Sequence, residues 1–358
     1  MKVVIGMSGG VDSSVSAYEL KKNGYEVVGV TSIMCGNEAI DDAKKVCEQL
    51  GIEHRVVDMR TEFKCHVMDY FASEYMKCRT PNPCNMCNRY VKFEVLLRVA
   101  NEVGADYVAT GHYANIVKLD NDRYSVKNSS TATKDQTYAL CFLTQNQLAH
   151  TMMPLGGYTK EQVREIAAEL NLSVADKKDS QDICFIPDKD YGAFLDNYLS
   201  ENDVKNAGKI SCVKDKNFAQ KPGNFVDENG NILGKHKGMA YYTYGQRRGL
   251  GVAAKTRLCI IDMKSESNEI VLAEDDKAYS SALTCSNMNW MSEENPDNKR
   301  VWVKIRYAHK GEWGTLINKG DRYIVEFEQA VRAITPGQPV VFYDGDYVLG
   351  AGIIDGRV

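Results

Sequence analysis

The sequence has 358 residues, with 44 Lys and Arg against 48 Asp and Glu, and a formal net charge of −4. This length is too great for one ordinary domain and predicts two or three. The net charge gives no overall attraction for nucleic acid, although local basic patches could still bind it. No apolar run approaches the ~20 residues of a membrane helix, and no basic-then-apolar leader opens the chain. We therefore expect a cytoplasmic protein with no membrane contact.

The chain opens with a strand that ends in a glycine-rich turn. The apolar run 3–5 is followed by Gly-Met-Ser-Gly-Gly-Val-Asp-Ser-Ser at 6–14 and by a helical pattern over 15–23. A helix N-terminus behind such a turn offers backbone N–H groups and partial positive charge to an oxyanion. The spacing matches neither the Walker A loop nor the Rossmann fingerprint. A phosphate-binding loop is favoured over a glycine-rich turn that binds nothing.

The first third of the chain alternates strand and helix signals. Strands are predicted over 3–5, 26–33, 53–58 and 107–110, and helices over 15–23, 39–50, 61–76 and 93–103. This order predicts an α/β fold, a Rossmann-like parallel sheet with helices on both faces. Ligands of such sheets bind at the carboxyl ends of the strands. The opening loop and the turn 110–113 both fall at that edge.

Later segments change from mixed to strand-rich. Helices are predicted over 135–150, 159–170 and 191–199, and strands over 224–227, 231–234, 258–262, 269–273, 302–306, 323–327, 339–343 and 347–354. A polar stretch at 200–221 is expected to be a linker or a surface hairpin. We predict a catalytic domain at 1–200, a small β-rich domain at 205–278 and a C-terminal β-barrel at 280–358.

Cysteines mark two further unusual stretches. The eleven cysteines are scattered, which favours free thiols, catalysis or metal binding over a disulfide scaffold. Cys84 and Cys87 form a C-x-x-C after two prolines, a pattern open to a redox dithiol, half a zinc site, an iron–sulfur site or two local thiols. Cys184 follows Lys177 and Lys178, which are expected to lower the pKa of its thiol.

The glycine-rich stretch from Ser8 to Ser14 resembles the PP-loop of the N-type ATP pyrophosphatases. The resemblance implies that the loop holds ATP, that AMP passes to a carbonyl oxygen and that pyrophosphate leaves. It places Mg²⁺ near Asp12 and a phosphate contact at the Ser14 hydroxyl. The ATP-binding residues that it implies are Gly6, Met7, Ser8, Gly9, Gly10, Val11, Asp12, Ser13, Ser32 and Gly111.

Longer motifs are spread over nearly the whole chain. They are Arg-Thr-Pro-Asn-Pro at 79–83, Cys-Asn-Arg-Tyr-Val-Lys-Phe at 87–93, Ala-Thr-Gly-His-Tyr-Ala at 109–114, Lys-Asp-Gln-Thr-Tyr at 134–138, Ser-Gln-Asp-Ile-Cys-Phe-Ile at 180–186, Gly-Lys-His-Lys-Gly at 234–238, Thr-Tyr-Gly-Gln-Arg-Arg-Gly-Leu-Gly at 243–251 and Ala-Ile-Thr-Pro-Gly-Gln at 333–338. This set resembles the bacterial tRNA-specific 2-thiouridylases (MnmA type). Several of the motifs are long enough to be specific to that family.

The resemblance implies an ATP-dependent sulfur transfer to the wobble uridine of tRNA. AMP from ATP would turn O2 of the uridine into a leaving group, and sulfur would then replace it at C2. By position, Cys184 would carry a persulfide received from a sulfur-relay protein or a cysteine desulfurase. Cys87 would release the terminal sulfur and close a disulfide with Cys184.

Contacts with the RNA are implied in the same way. The target base, extruded from its stack, would face Asn82, Pro83 and Cys84. The other tRNA contacts implied are His112, Lys134, Asp135, Gln136, Arg306, Tyr307 and Gln338.

Two departures from the family keep alternatives open. Many members carry Asp where this chain has Cys84, and the resulting set of Cys84, Cys87 and Cys184 resembles relatives proposed to hold a 4Fe–4S cluster that carries the sulfide. The segment after Thr31 is also shorter than usual. The rival functions are another PP-loop adenylating enzyme, or a metal or iron–sulfur RNA-binding protein without thiolation activity.

Overall fold

The computed structural model describes residues 1–36, 38–131, 134–177, 183–201 and 218–358. Most of the polar stretch 200–221 and Lys178 lie outside these residues. The helices are α1 (Val11–Lys22), α2 (Ile40–Leu50), α3 (Arg60–Phe63), α4 (Asp69–Met76), α5 (Pro83–Cys87), α6 (Phe93–Val103), α7 (Thr137–Leu140), α8 (Gln145–Ala149), α9 (Lys160–Glu169) and α10 (Tyr191–Glu201). The strands are β1 (Lys2–Gly6), β2 (Glu26–Ile33), β3 (Glu53–Asp58), β4 (Tyr107–Ala109), β5 (Asn115–Lys118), β6 (Tyr124–Lys127), β7 (Thr151–Met152), β8 (Gly223–Val226), β9 (Ile232–His236), β10 (Leu258–Lys264), β11 (Glu269–Glu274), β12 (Tyr279–Trp290), β13 (Lys299–Lys304), β14 (Glu312–Asn318), β15 (Tyr323–Arg332), β16 (Pro339–Asp344) and β17 (Tyr347–Arg357).

The N-terminal sheet is parallel and has the strand order β3-β2-β1-β4-β7. Strand β1 contributes apolar side chains to both faces of the sheet, because successive side chains of a strand point to opposite sides. Val3 and Ile5 pack in one core with α1, α2 and α9, and Val4 packs in another with α6. The strand order reverses between β1 and β4, which is where open α/β sheets bind ligands.

The middle sheet has the order β10-β11-β8-β9. Its central strands β11 and β8 are parallel, and the outer pairs are antiparallel. Phe225, Ile260, Ile270 and Leu272 form a small core of their own. This region is therefore stabilised by a hydrophobic core separate from that of the parallel sheet.

The C-terminal strands form a closed barrel of order β12-β15-β14-β13-β16-β17, because β12 also pairs with β17. Leu283, Val303, Val325 and Phe342 are fully buried inside it. The hairpin β5–β6 follows the parallel sheet in sequence but joins the barrel through the pair Tyr347 and Lys127. This hairpin joins the first and last parts of the chain.

The predicted fold class is confirmed, with an N-terminal parallel sheet, a β-rich middle part and a C-terminal barrel. The helix predicted over 135–150 is wrong as one element, because the chain turns after α7 and a new capping box of Thr144 and Gln147 begins α8. The helix predicted over 61–76 contains a π-helical segment at Lys64–Met68. Strands β5, β7, β12 and β14 were not predicted.

Within the described residues, no helix combines the length and apolar character needed to cross a membrane.

Candidate active site

The glycine-rich turn lies at the carboxyl end of β1 and leads into α1. No side chain caps α1 at its N-cap residue, Gly10, and the first N–H groups of a helix have no partner within it. Gly9 has a φ of 66°, and a Cβ there would lie 2.5 Å from the carbonyl oxygen of Ala39. The turn therefore requires glycine and presents backbone donors at the open edge of the sheet, as an anion site needs.

The serine hydroxyls of this loop have two different arrangements. The Ser8 and Ser13 hydroxyls lie 3.1 Å apart, and the Ser8 N–H donates to Ser13 Oγ over 3.2 Å. Ser14 is fully buried, and its hydroxyl donates to the carbonyl oxygen of Gly10 at 2.8 Å. The Ser8 and Ser13 hydroxyls therefore pair with each other within the turn, whereas the Ser14 hydroxyl is used within the first turn of α1.

Two lysines that the sequence analysis did not assign to this loop reach it. Lys160 Nζ lies 2.7 Å from Asp12 Oδ1, which also accepts from Tyr113 Oη at 2.7 Å. Lys177 Nζ donates to the carbonyl oxygen of Gly9 at 2.9 Å and pairs with Asp42 at 2.8 Å. Lys177 was expected to lower the pKa of the Cys184 thiol, but its ammonium is held at the loop, and the groups that lower this pKa are Cys35 and Lys92.

One signal in the sequence could have identified Lys160. It is the first residue of α9, directly after the N-cap Thr159, where a lysine is disfavoured by the helix dipole. The side chain is nonetheless only 8% exposed. A buried cation at a helix N-terminus requires an anionic partner, and here that partner is Asp12.

The remaining predicted nucleotide contacts lie around the same edge. A Cβ on Gly111 would lie 2.8 Å from the backbone nitrogen of Ser13, so the turn after β4 packs directly on the loop. Ser32 is at the end of β2 and is half-buried. The side chains of Met7 and Val11 are buried in the core, and Gly6 ends β1. These last three residues can offer only backbone groups to a ligand.

The C-x-x-C lies on a helix that was not predicted. Asn82 is the N-cap of α5, and its side-chain oxygen accepts from the N–H of Cys84 at 3.1 Å. Pro83 occupies the first turn, where its missing N–H costs nothing. A π-helical segment at Asn88–Lys92 joins α5 to α6 without a break, and such segments occur often at functional sites.

Two buried amides hold this helix in place. Asn85 donates to the carbonyl oxygen of Tyr138 at 2.8 Å, and Asn88 donates to that of Ala139 at 2.9 Å. Both acceptors belong to the α7 region, directly after the predicted tRNA segment 134–136. The position of the thiols is thus tied to the backbone of that segment.

The predicted cysteines are brought together in one electrostatic environment. Cys87 is buried, and burial raises the pKa of its thiol to about 11. Cys184 is exposed, and a hydrogen bond from Cys35 is the main cause that lowers the pKa of its thiol. Cys84 is also exposed. A thiolate is thus more accessible at Cys184 than at Cys87.

Lys92 is the cation close to these three thiols, and it was not predicted from the sequence. Burial opposes its charge, but the nearby thiols of Cys87, Cys84 and Cys184 outweigh that effect and raise the pKa of Lys92. It lies five residues after Cys87, a spacing that a π-helical turn brings onto one face. Lys92 can therefore stabilise a thiolate on any of the three sulfurs.

His112 connects the thiols with the nucleotide loop. Burial and the charge of Lys92 lower the pKa of His112 to about 3, so the imidazole is neutral near pH 7. Its Nδ1 lies 2.8 Å from Thr110 Oγ1, and the preceding residue, Gly111, packs on Ser13. Of two neighbouring residues in one turn, Gly111 thus packs on the phosphate loop and His112 lies within electrostatic reach of Lys92.

A three-cysteine iron–sulfur site does not fit this arrangement. Among the described residues, no group of three or more His, Cys, Asp or Glu side chains could hold a metal ion. Cys84, Cys87 and Cys184 all belong to that part of the chain, and Cys87 is buried while the other two are exposed. Mg²⁺ makes smaller demands, since one carboxylate such as Asp12 and the phosphates of a nucleotide can bind it.

Apart from His112 and Gln338, the residues predicted to contact tRNA lie near the junction of hairpin and barrel. Asp135 accepts from Thr137, and Gln136 accepts from the N–H of Tyr113 at 2.8 Å, so both shape the turn that carries Lys134. Arg306 donates to the carbonyl oxygen of Arg332 at 2.9 Å. Tyr307 is 51% exposed.

A cavity of about 940 Å³ opens beside Tyr307 and Asp135. The hairpin and the barrel both line it, with the cations Lys127, Lys304 and Lys310 and the aromatic ring of Trp302 among its walls. Burial lowers the pKa of Lys304. Cations and aromatic rings in one concave surface are suited to phosphates and bases of single-stranded RNA.

Gln338 has a different neighbourhood from the other predicted tRNA contacts. Its side-chain amide donates to the carbonyl oxygens of Thr80 at 2.9 Å and Pro81 at 3.2 Å. The N–H of Thr80 donates to the carbonyl oxygen of Pro336 at 2.8 Å. The barrel thus holds the backbone directly before Asn82, the start of the predicted target-base segment.

Comparison with known proteins gives matches over almost the whole chain. Three family models match: the tRNA methyl transferase HUP domain at residues 1–188, the tRNA methyl transferase PRC-barrel domain at 211–274 and the aminomethyltransferase beta-barrel domain at 280–354. The tRNA-specific 2-thiouridylase MnmA of Lachnoclostridium phytofermentans is 49% identical over 370 residues, covering 99% of each chain. That of Clostridium kluyveri is 47% identical over 370 residues, again covering 99% of each chain.

Solved structures resemble the chain more weakly. A 4-thiouridine synthetase in complex with RNA and bound ATP has a TM-score of 0.35 and 19% identity, covering 56% of this chain and 50% of that one. The NMN synthetase of Francisella tularensis has a TM-score of 0.33 and 20% identity, covering 57% of this chain and 79% of that one. Similarity at this level is too low to indicate a function. The full-length relatives are similar enough to show the family, and the chain belongs to the family of tRNA-specific 2-thiouridylases of the MnmA type.

Proposed function

We propose that the protein catalyses the ATP-dependent 2-thiolation of the wobble uridine of tRNA. One observation carries the proposal. In the turn after β4, Gly111 packs on the phosphate loop, and the next residue, His112, lies close to Lys92, the cation shared by the three thiols. Adenylation of O2 and sulfur transfer to C2 of the same uridine require these two sites side by side. The family membership supports the same assignment.

The first step is the transfer of AMP from ATP to O2 of the uridine, with release of pyrophosphate. The backbone donors of the loop after β1 and the hydroxyls of Ser8 and Ser13 hold the departing phosphates. Lys160 and Lys177 add positive charge beside them, since both ammonium groups already contact the loop or Asp12. Asp12 would hold Mg²⁺, which would supply further neutralisation of the phosphate charge.

The target base enters beside the N-terminus of α5. Enzymes that act on a base extrude it from its stack, and Asn82, Pro83 and Cys84 form the start of a helix that faces the predicted base site. Asn82 already fixes the Cys84 N–H. Because Cys84 stands where many relatives have Asp, we assign it a place beside the base and no acid–base step.

Sulfur arrives at Cys184, the exposed member of the cysteine pair. A sulfur-relay protein or a cysteine desulfurase transfers its terminal sulfur to the Cys184 thiolate, which becomes a persulfide. Burial raises the pKa of Cys87, so its thiol first gives up a proton beside Lys92. The resulting thiolate attacks the inner sulfur, the disulfide Cys87–Cys184 closes and hydrosulfide leaves. Hydrosulfide attacks C2 of the adenylated uridine, and AMP departs with O2. Lys92 stabilises the thiolate at each stage.

The barrel and the hairpin β5–β6 bind the body of the tRNA. The cavity beside Tyr307 supports this role, because it combines the charges of Lys127, Lys304 and Lys310 with exposed aromatic surface. Lys134, Asp135, Gln136 and Arg306 lie around the same junction. The predicted domains at 1–200, 205–278 and 280–358 would thus divide chemistry from RNA docking.

A single assay tests the proposal against its rivals. Purified protein is incubated with ATP, unmodified tRNA and sulfide under reducing conditions, and AMP, pyrophosphate and 2-thiouridine are measured. We expect all three products in equal amounts, and none of them without tRNA. AMP formation without 2-thiouridine would indicate another adenylating enzyme, and RNA binding without either product would indicate a binding protein.

A further inference from the structure

Two sulfur atoms outside the proposed cysteine pair lie against it. They belong to the short segment after β2, at Met34 and Cys35. Met34 Sδ lies 4.0 Å from the Sγ of Cys87. The Cys35 thiol lies 3.8 Å from the carbonyl oxygen of Cys184 and is hydrogen-bonded to the Cys184 thiol. This segment therefore contacts both ends of the pair.

The position of Cys35 is fixed by its own backbone. The side-chain oxygen Oε1 of Glu38 accepts hydrogen bonds from the N–H groups of Met34 and Cys35, each at 2.6 Å. A carboxylate that accepts two backbone N–H groups makes strong, charge-assisted bonds. The segment is thus pinned where its thiol meets Cys184.

The three thiols differ in how far solvent reaches them. Cys87 is 5% exposed, Cys35 is half-buried and Cys184 is exposed. A disulfide between Cys87 and Cys184 has one sulfur in the hydrophobic core. A reductant approaching from solvent reaches the Cys184 side only, where Cys35 already lies.

We propose that Cys35 is a third redox thiol, which takes over the disulfide to Cys184 from Cys87 after each sulfur transfer. The inference rests on the proposed function for the origin of the first disulfide. The Cys35 thiolate attacks the Sγ of Cys184, the bond between Cys184 and Cys87 breaks, and its electron pair leaves on the Cys87 sulfur. That sulfur takes up the proton that Cys35 lost. The exchange consumes no electrons, and a dithiol reductant then supplies two electrons to the Cys35–Cys184 disulfide.

Burial favours this direction of exchange. The pKa of Cys87 is about 11, so the released sulfur is protonated near pH 7 and does not attack back readily. Lys92 stabilises its negative charge while it leaves. Cys87 is thus returned to its thiol form before the next persulfide arrives.

Disulfide mapping tests the Cys35–Cys184 pairing that the exchange requires, without tRNA or activity. The full-length Cys87→Ser variant is oxidised with one equivalent of diamide, alkylated and analysed by peptide mass spectrometry. We expect Cys35–Cys184 as the main disulfide. The absence of this pair in a variant that remains folded by circular dichroism would overturn the inference, whereas loss of thiolation alone would bear only on the proposed function.

Turnover kinetics give a second readout. The Cys35→Ser variant should form 2-thiouridine at the wild-type rate in a single turnover, and at least tenfold more slowly in later turnovers at limiting dithiol. Cys78→Ser, which alters a half-buried thiol in contact with Met239, is the matched control and should match wild type in both phases. Wild-type rates for Cys35→Ser in both phases would contradict the role.

Discussion

Lys160 Nζ lies 2.7 Å from Asp12 Oδ1, and this ion pair joins the start of α9 to the first turn of α1. Tyr113 donates to the same oxygen. The pair holds the phosphate loop against a third element and keeps a positive charge beside it. We therefore expect it to contribute to both stability and adenylation.

Lys160→Met tests both contributions. The variant keeps an unbranched side chain of similar size but removes the ammonium, so that, among the described residues, Asp12 retains only its hydrogen bond from Tyr113. This loss should lower the free energy of unfolding by about 1–3 kcal/mol. Loss of the charge should slow AMP formation on the order of 10²-fold. Denaturant unfolding and AMP release at saturating tRNA measure the two effects.

Lys44→Met is the matched control, since Lys44 is an exposed lysine of α2, and it should leave both quantities unchanged. The double variant Lys160→Met with Asp12→Asn removes the uncompensated carboxylate. It should regain stability without regaining AMP formation. Full AMP formation by Lys160→Met would show that the lysine is structural only.

The two proposed catalytic thiols should differ in their reactivity with pH. The pKa of Cys184 is lowered from its ordinary value, chiefly by the hydrogen bond from Cys35, whereas burial raises that of Cys87 to about 11. A thiol with a lower pKa ionises at lower pH, so alkylation of Cys184 should rise first as the pH increases. Iodoacetamide labelling from pH 6 to 10, followed by peptide mass spectrometry, measures both profiles.

The Cys35→Ala variant separates the effect of the Cys35 hydrogen bond on Cys184 from the effect of burial on Cys87. Removal of the hydrogen-bond donor should move the Cys184 profile to higher pH and leave that of Cys87 nearly unchanged. Cys78→Ala serves as the comparison, because its thiol contacts Met239. Labelling of Cys87 before Cys184 in the wild-type protein would contradict the electrostatic description of the site.

Iron binding distinguishes the persulfide route from a cluster route. Because the described Cys84, Cys87 and Cys184 side chains do not form a metal-binding group, anaerobically purified protein should contain far less than one iron atom per chain. It should also catalyse thiolation with a persulfide donor and without iron. Colorimetric iron analysis and visible absorption are the measurements. A brown protein with about four iron atoms per chain would show that the thiols rearrange around a cluster.

The sequence predicted the parts of the fold that depend on local pattern. The buried run 3–5 and the glycine turn at 6–14 can be recognised as a strand and a loop. The spacing of apolar residues and the preference of glycine for turns are both properties of consecutive residues. Strand β12 was missed because its Ser, Thr and Asn residues give little hydrophobic signal. Helix α5 was missed because it has only five residues and begins at a proline, which leaves too short a stretch for a helical period to be recognised.

The loops of the candidate site could be predicted from the sequence, but the lysines that reach them could not. The cysteines and the phosphate loop are motifs of consecutive residues. Lys160 and Lys177 reach the loop from positions 148 and 168 residues away in sequence, so only the tertiary fold brings them there. The same is true of Cys35, which meets Cys184 across 149 residues.

Gln338 should affect thiolation through the backbone that it holds. Its amide donates to Thr80 and Pro81, which precede the target-base segment, and Gly337 packs on the same backbone with its Cβ position 3.0 Å from the Thr80 nitrogen. Gln338→Ala leaves two carbonyl oxygens without these donors and loosens the segment. We expect 2-thiouridine formation to fall about tenfold, because misplacement by about 1 Å is enough for such losses.

Three comparisons separate this positioning role from direct RNA binding. Gln329→Ala removes an exposed glutamine of β15 and should have no effect. If Gln338 positions the base segment, Gln338→Ala should lower kcat for thiolation while the Kd for tRNA changes less than threefold. If Gln338 contacts tRNA instead, the Kd should rise in proportion to the loss of activity. Gln338→Glu, which replaces the donor by an anion facing two carbonyl oxygens, should be more damaging than the alanine variant under the positioning role.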